Sequence, residues 1–469
     1  MKNIQRTLIG LLLGLTALWL LAESAALPLT QGLFPWRTLL VQYSGLLGMG
    51  VMSAAMLLAV RPAWLERRLH GLDKMYRLHK WLGIAGLVLA ILHWLISQGP
   101  KWLIGAGLLE RPVRGPRPLL TDPVLAFLQS QRGLAEDLGE KAFYLAVALI
   151  ALALIKRFPY RHFFRTHRWI ALAYLVLVWH SIVLTSFGYW LQPVGVLHGL
   201  LLAGGTVAAV ISLTRRIGVR RKAVGEIEQL EYLEGVKVNA VSIRLRSQWA
   251  GHEPGQFAFV TFDEREGAHP FTISSAWQDD GRLMFLIKAL GDYTHSLAAS
   301  LKLGDTVTVE GPYGHFQFDG PARRQIWIGG GIGISPFVAR LKQLAQQSDG
   351  REIDLFHATS EVDETALQRL QQHAQAAGVR LHLLISGRDG RLTGERLREL
   401  VPQWREAELW FCGPAAFGDA IRTDIAGAVH YGLGSLMCLA GIHAEETGEL
   451  SPADLQGWFA RQSHPQRVC

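Results

Sequence analysis

Cysteine is almost absent: Cys412, Cys438 and Cys469 are the only 3 in 469 residues. Three thiolates cannot complete a four-cysteine iron-sulfur cluster, and there is no CxxC pair. CxxCH is missing too, which excludes covalent haem attachment of the c type. Any one-electron carrier must therefore be held by other residues. Despite a net charge of +8 and a pI near 9.5, no stretch interleaves aromatic and basic residues in the nucleic-acid pattern, so no nucleic-acid partner is expected.

What the chain has is long apolar runs, all upstream of about residue 215. They cover roughly 7–27, 37–60, 78–97, 141–155, 163–185 and 189–213, and are read as six spans of a bilayer. The first follows Lys2 and Arg6 and ends in AESAAL. Its length favours a retained anchor over a cleaved signal peptide. Basic residues gather on alternate loops: Arg61, Arg67, Arg68, Lys74 and Arg77 after run two, Lys156, Arg157, Arg161 and Arg165 after run four, and RRIGVRRK after run six. That is the positive-inside pattern, so both termini are expected to be cytoplasmic. The loop from Gln98 to Glu140, with RPVRGPRPLLTDP, is assigned outside. Trp36, Trp102 and Trp190 fall near span ends, where an interfacial belt places them.

Two of these runs carry spaced histidines, HKWLGIAGLVLAILH and HRWIALAYLVLVWH. His79 and His93 are fourteen positions apart, which on a helix puts both on nearly one face about 21 Å apart. His167 and His180, thirteen apart, fit less well, because a straight helix turns the second roughly 140° from the first. Tilt, a π-bulge or unequal imidazole reach must absorb that difference. A lone intramembrane His is compatible with polar packing against a neighbouring helix, and His198, without a spaced partner, is read so. Four in two similar pairs match the ligands that two haems in a helix bundle require. Trp94 and Trp179, beside His93 and His180, are read as packing residues.

Past RRIGVRRK the pattern becomes that of a soluble α/β protein. VNAVSIRLRS, QFAFVTF, RLMFLIKAL and DTVTVEGPYG alternate like short strands and predict a small antiparallel barrel. From Gln325 on, QIWIGGGIGISP, DLFHATS, LHLLIS and LWFCGP supply apolar strands separated by helical stretches, which predicts a parallel sheet with crossovers. Gly329, Gly330, Gly331 and Gly333 precede a helix opened by Ser335 and Pro336. Such a string is compatible with a mere tight turn and with a phosphate cradle. HPFTISS reads equally as a strand edge or as hydroxyls facing a flat heteroaromatic ring. Lys288, Gly291 and Thr294 in IKALGDYT offer a cation, a turn and a hydroxyl suited to pyrophosphate.

The ordered set HPFT, GDYT, GPYG, GGGIGISP and FCGP resembles the dehydrogenase half of the NADPH oxidase and ferric reductase superfamily, here a bacterial member, and the spaced histidines resemble its membrane half. The resemblance runs from the first span to about residue 430. It implies a six-helix transmembrane bundle at 1–215, a cytosolic antiparallel β-barrel for FAD at 223–320, an α/β parallel-sheet NAD(P)-binding domain at 321–435, and a C-terminal extension at 436–469. It also implies the site. Thr272 would face the flavin N5, with His269, Pro270, Phe271, Ser274 and Ser275 around it, and Lys288, Gly291 and Thr294 on the pyrophosphate. Gly330, Gly331, Gly333 and Ser335 would receive the nicotinamide nucleotide, and Cys412, Gly413 and Pro414 would border its reacting ring. His79 with His167, and His93 with His180, would ligate an inner and an outer haem b. Ser386 and Arg388 resemble the family's 2'-phosphate pocket, which implies NADPH with NADH also used.

Where many members have Trp, Arg and Thr, this chain has Tyr293, Lys288 and Ser335. It also continues past the last strand, where relatives often end in an aromatic residue against the flavin. The expected activity is an NAD(P)H oxidase or ferric reductase type of electron transfer across a multi-pass, bacterial-type inner membrane. Oxygen giving superoxide is the first acceptor, a ferric chelate the second, and an extracytoplasmic partner protein the third.

Overall fold

The computed structural model describes residues 2–69, 71–112, 121–155, 160–426 and 436–438. Lys156, Arg157, most of the RPVRGPRPLLTDP loop, Cys469 and the rest of the extension after Cys438 lie outside the described residues. The chain divides into two compact units, Met1–Leu69 with Lys74–Ile217, and His70–Asp73 with Gly218–Cys469.

The first unit is helical: α1 (Lys2–Glu23), α2 (Leu33–Ala59), α3 (Ala63–Leu69), α4 (Leu72–Gly105), α5 (Pro123–Ser130), α6 (Arg132–Leu154), α7 (Tyr160–His167), α8 (Ile170–Leu184) and α9 (Pro193–Leu213). Its core joins α2, α8 and α9 through Met49, Met52, Met56, Tyr174, Val178 and Leu202. Small residues let these backbones close: at Gly205 a Cβ would meet Tyr174 Oη at 2.0 Å. That hydroxyl also bonds Ser53 Oγ at 2.8 Å. Against the expectation of six spans, 5 helices among the described residues are long and apolar enough to cross a membrane. The remaining run lies in α6, whose 23 residues include Glu136, Asp137, Glu140 and Lys141. Those charges dilute its hydropathy.

In the second unit, β1 (Lys222–Leu233), β2 (Val238–Leu245), β3 (Phe257–Thr261), β4 (His269–Thr272), β5 (Arg282–Lys288) and β6 (Thr306–Tyr313) form a 6-stranded antiparallel sheet in the order β4-β3-β6-β1-β2-β5. An antiparallel bridge from Ile273 to Phe285 ties the two edges together. The closed interior holds Ile227, Val241, Ile243, Val260, Phe285 and Val309. Helix α10 (Asp292–Ser300) follows β5.

Parallel strands β7 (Arg324–Gly330), β8 (Glu352–Thr359), β9 (Arg380–Ile385) and β10 (Ala407–Gly413) alternate with α11 (Ser335–Leu344), α12 (Glu364–Ala376), α13 (Ser386–Asp389), α14 (Gly394–Leu400) and α15 (Ala415–Ala426). A three-residue strand, β11 (Leu436–Cys438), pairs with β10 at the sheet edge. The order β10-β7-β8-β9 reverses between β7 and β10. At such a switch the two following loops diverge and open a crevice at the carboxyl edge, the usual ligand site of an open α/β sheet. Below it the core is aromatic, with Trp327, Phe337, Trp410 and Phe318 in mutual contact.

Candidate functional site

The four membrane histidines meet in two pairs. The ring centroids of His79 and His167 are 5.9 Å apart, and those of His93 and His180 are 6.4 Å apart. A metal held between two imidazoles at about 2 Å per bond separates their ring centres by about 6 Å. Each pair therefore has the reach of a bis-histidine site. Three rings have Nδ1 engaged: His79 to Ala55 O at 2.9 Å, His93 to Ser44 Oγ at 3.1 Å, and His180 to Ala135 O at 2.8 Å. A carbonyl must accept from Nδ1–H, so His79 and His180 are held in the tautomer whose Nε2 lone pair is free for a metal. His167 Nδ1 has no partner among the described residues, but Phe163 stacks on the ring at 4.8 Å.

The thirteen-residue mismatch is resolved by a break. Between α7 and α8, Arg168 and Trp169 form a turn, and Trp169 N, Ala171 N and Leu172 N bond carbonyls three residues back. A 3₁₀ turn advances about 120° per residue instead of about 100°. This overwinding carries His180 back toward the face of His167.

Room for the His93–His180 pair comes from glycine. A Cβ on Gly139 would sit 2.0 Å from His180 Nδ1, and one on Gly45 would sit 3.3 Å from His93 Cε1. Gly139 belongs to the buried stripe Ala135, Gly139, Ala142 and Ala146 along α6, against which α8 packs closely. The stripe is visible in the sequence as a small-residue periodicity, and it was missed. Among the described residues no three His, Cys, Asp or Glu converge on a possible metal site. The protein offers two donors per site, which suits an iron whose other four ligands belong to a porphyrin. His198 behaves as expected of a packing residue, with Nε2 on Ser181 Oγ at 2.9 Å. Trp94 stacks on Phe143 at 5.6 Å.

In the second unit, the Thr272 hydroxyl ends β4 half-buried and makes no hydrogen bond to the described residues. It is open to a ligand. His269 stacks on Tyr293 at 4.2 Å and lies 6.4 Å from Phe271, giving an aromatic wall beside it. Ser274 and Ser275 turn inward to the strands: Ser275 Oγ accepts from Met284 N at 3.1 Å, and Ser274 is fully buried. Thr294 Oγ1 accepts from Leu290 N at 2.9 Å and Gly291 N at 3.0 Å and donates to Gly291 O at 3.1 Å. Its bonding capacity is used in capping α10, which leaves the first-turn N–H groups of that helix for a phosphate. Lys288 forms an ion pair with Glu361 after β8, a partner that sequence reading did not supply.

At the switch point the glycines do steric work. Gly331 has φ +54°, a conformation L side chains rarely adopt. A Cβ on Gly333 would meet Cys412 O at 2.1 Å, and Gly413 would then meet Gly330 Cα at 3.1 Å. Without side chains, the Gly330–Ser335 turn presses directly on Cys412, Gly413 and Pro414. Ser335 Oγ donates to Ile332 O at 2.8 Å and is buried. The Cys412 thiol is 1% exposed and packs in the core. At the end of β9, Ser386 Oγ donates to Thr359 O at 3.3 Å. Arg388 binds Asp389 through Nε and a terminal nitrogen, both at 3.0 Å.

Three family models match in order. Residues 44–178 match a ferric reductase like transmembrane component, 227–317 an FAD-binding domain, and 327–423 an oxidoreductase NAD-binding domain. The reductase component of propane 2-monooxygenase from Rhodococcus jostii is 26% identical over 211 residues, 40% of this chain and 56% of that protein. A probable dihydroorotate dehydrogenase B electron transfer subunit from Thermococcus kodakarensis is 31% identical over 163 residues, 34% of this chain and 63% of that protein. The chain thus spans about three-fifths of the length of these two relatives. Among solved structures, the flavohaem-like FAD/NAD-binding domain of a nitric oxide dioxygenase from Vibrio cholerae is 19% identical, covering 46% of this chain and 98% of that one at a TM-score of 0.39. With a ferric reductase-like membrane component joined to FAD-binding and NAD-binding oxidoreductase domains, the chain belongs to the NADPH oxidase and ferric reductase superfamily.

Proposed function

We propose that this chain is a membrane flavocytochrome that passes electrons from cytosolic NAD(P)H through FAD and two b-type haems to an acceptor on the far side of the bilayer. The observation that carries the reading is the double imidazole pair, with Nδ1 of His79 and His180 bonded to carbonyls so that Nε2 keeps its lone pair free for a metal. FAD, if bound, would supply the conversion of hydride chemistry into single electrons, and the two imidazole pairs would hold iron groups suited to one-electron transfer.

The chain's own residues do the rest. Thr272 offers its free hydroxyl to the flavin ring edge, the wall of His269 and Phe271 excludes water, and the start of α10 receives the pyrophosphate. The Gly330–Ser335 turn takes the nucleotide phosphates, and Cys412, Gly413 and Pro414 limit where the nicotinamide lies. Ser386 and Arg388 face a 2'-phosphate. Six spans with both termini cytoplasmic fit the basic loops. The sixth is α6, long enough at 23 residues, with small residues turned to α8 and its Asp137–Lys141 pair at 2.7 Å turned away.

Oxygen is placed first as acceptor because so small a molecule needs no binding groups of its own. The match to a ferric reductase like component favours a ferric chelate as second. The reductase-component relative, which by its name serves a monooxygenase, keeps a protein partner third. Purified protein given NADPH and either oxygen or a ferric chelate decides among them. Superoxide-dismutase-sensitive reduction of a reporter supports oxygen, and its absence alongside rapid ferric reduction rejects it. His93→Ala or His180→Ala is expected to lower the pyridine haemochrome from two haems per chain to one; two retained after both changes would overturn the ligand assignment.

A further inference from the structure

Behind the nucleotide turn, the barrel and the NAD-binding domain enclose a cleft of about 850 Å³ measured to its open mouth. Val238, Ala240 and Leu286 of the barrel form one wall, and Val338, Leu367 and Leu370 of α11 and α12 form the other. Two ion pairs stand at its rim, each complete: Lys288 with Glu361, and Arg369 with Glu231 at 2.6 Å. Lys342 is different. It projects into the cleft from the last turn of α11, its Nζ donates only to Met284 Sδ at 2.9 Å, and it has no carboxylate partner among the described residues. The charged groups that face it, Arg369 and His373, are both basic.

An ammonium inside an apolar cleft without a counter-charge is costly. Burial accordingly pulls Lys342 down to about 8, with Arg369 adding to the effect. An anion supplied by a ligand removes that cost. Phosphate is a poor candidate, because the amide groups and dipole that attract it are at the other end of α11. Lys342 is seven residues, or about 10 Å, from Ser335, at the carbonyl end of the helix. Apart from the Lys288–Glu361 pair, Arg369, His357, Thr359 and His373, the remaining lining is apolar or glycine, so the complementary molecule has one negative group on an apolar body.

We propose that the cleft binds a medium-chain monocarboxylate, with its carboxylate on Lys342 and its tail between barrel and NAD-binding domain, as a second ligand held alongside NAD(P)H. By touching both walls it clamps the two domains together.

The test uses the full-length, FAD-loaded protein in lipid nanodiscs, with decanoate as probe and decanol as the uncharged control. At pH 8, decanoate is expected to slow acylation of Lys342, followed by peptide mass spectrometry, at least fivefold. Decanol at equal concentration leaves the rate unchanged, and saturating NADPH leaves the protection intact. Lys342→Met is expected to weaken decanoate binding at least tenfold, and Lys342→Arg to keep it within threefold. Equal binding by Lys342→Met and the parent overturns the proposal. Protection by NADPH alone also overturns it, since the cleft would then be part of the dinucleotide site. If Lys342→Met loses FAD, Leu367→Trp decides: it keeps the lysine and fills the tail space, so decanoate must no longer protect, and undiminished protection sinks the idea.

Discussion

A ligand histidine needs one nitrogen fixed so that the other is aimed. Here two fixing groups are the carbonyls of Ala55 and Ala135, contributed by neighbouring helices. No side chain records them, so the sequence displays the spacing of the histidines and not the groups that orient them. Gly139 is the sharpest dependency. A methyl group there would fall 2.0 Å from His180 Nδ1, and the ring must swing away from Ala135 to admit it. Gly139→Ala is expected to remove the outer haem and spare the inner, halving the haemochrome at unchanged flavin content. Gly45→Ala, whose closest approach is 3.3 Å, is expected to do so only partly. At Arg388 the sequence suggests a phosphate ligand, and the structure adds a competitor for it. Asp389 already holds the guanidinium, and is itself fixed by accepting from Ile385 N at 2.9 Å. A bidentate phosphate contact is among the stronger charge-assisted hydrogen bonds, and displacing Asp389 subtracts from it. Arg388→Ala should therefore raise KM for NADPH several-fold and leave KM for NADH nearly unchanged; equal rises would reject Arg388 as the selector.

Among the elements, those with strong periodicity were readable. β2, β3, β5 and β6 each follow an alternating apolar segment that the sequence displays. β1 was not, because its inward positions are Ala223, Gly225 and Ile227, two of them too small to register as an apolar face, and its outward ones are largely charged. The thirteen-residue spacing suggests tilt, a π-bulge or unequal imidazole reach, and the structure has a tight break at Arg168 and Trp169 instead. Nothing in HRWIA signals a 3₁₀ turn. A further hidden feature lies in β8. Asp354 is 1% exposed and accepts from Arg380 at 3.0 Å, His382 at 2.9 Å and Arg324 at 3.2 Å. Burial opposes its ionisation, but these three donors outweigh it and hold the carboxyl below its ordinary value. A depressed folded pKa stabilises above the unfolded value, about 3.9, and that stabilisation disappears as pH falls through the folded value. Asp354→Asn should thus lower the thermal midpoint at pH 7, reflecting a loss of stability of at most the low end of about 3–5 kcal/mol because Arg380 is largely in water. The gap to the parent should narrow below about pH 4. A gap independent of pH would assign the loss to packing instead.

For the whole molecule, the change of composition near residue 215 predicted two bodies, and the contacts place the division between Ile217 and Gly218. The residues that follow belong to the barrel. Gly218 has φ +68°, and a Cβ there would meet Glu310 Oε1 at 2.1 Å. Arg221 lies 4.7 Å over the Tyr313 ring and donates to Pro312 O at 3.3 Å, and Lys222 opens the pairing of β1 with β6 opposite Glu310. The second half of the stretch that reads as a basic linker, RRIGVRRK, therefore belongs to the barrel wall. A fragment starting at Gly218 retains both cofactor domains and the interior that closes each. It is expected to be soluble, to bind about one FAD, and to reduce an artificial acceptor with NADPH. One starting at Ala223 loses the cation over Tyr313 and the first rung of β1, and should melt several degrees lower while still binding flavin. A folded Gly218 fragment that takes up no FAD would show that Thr272 and the start of α10 do not form the flavin site, whatever the histidines do in the membrane.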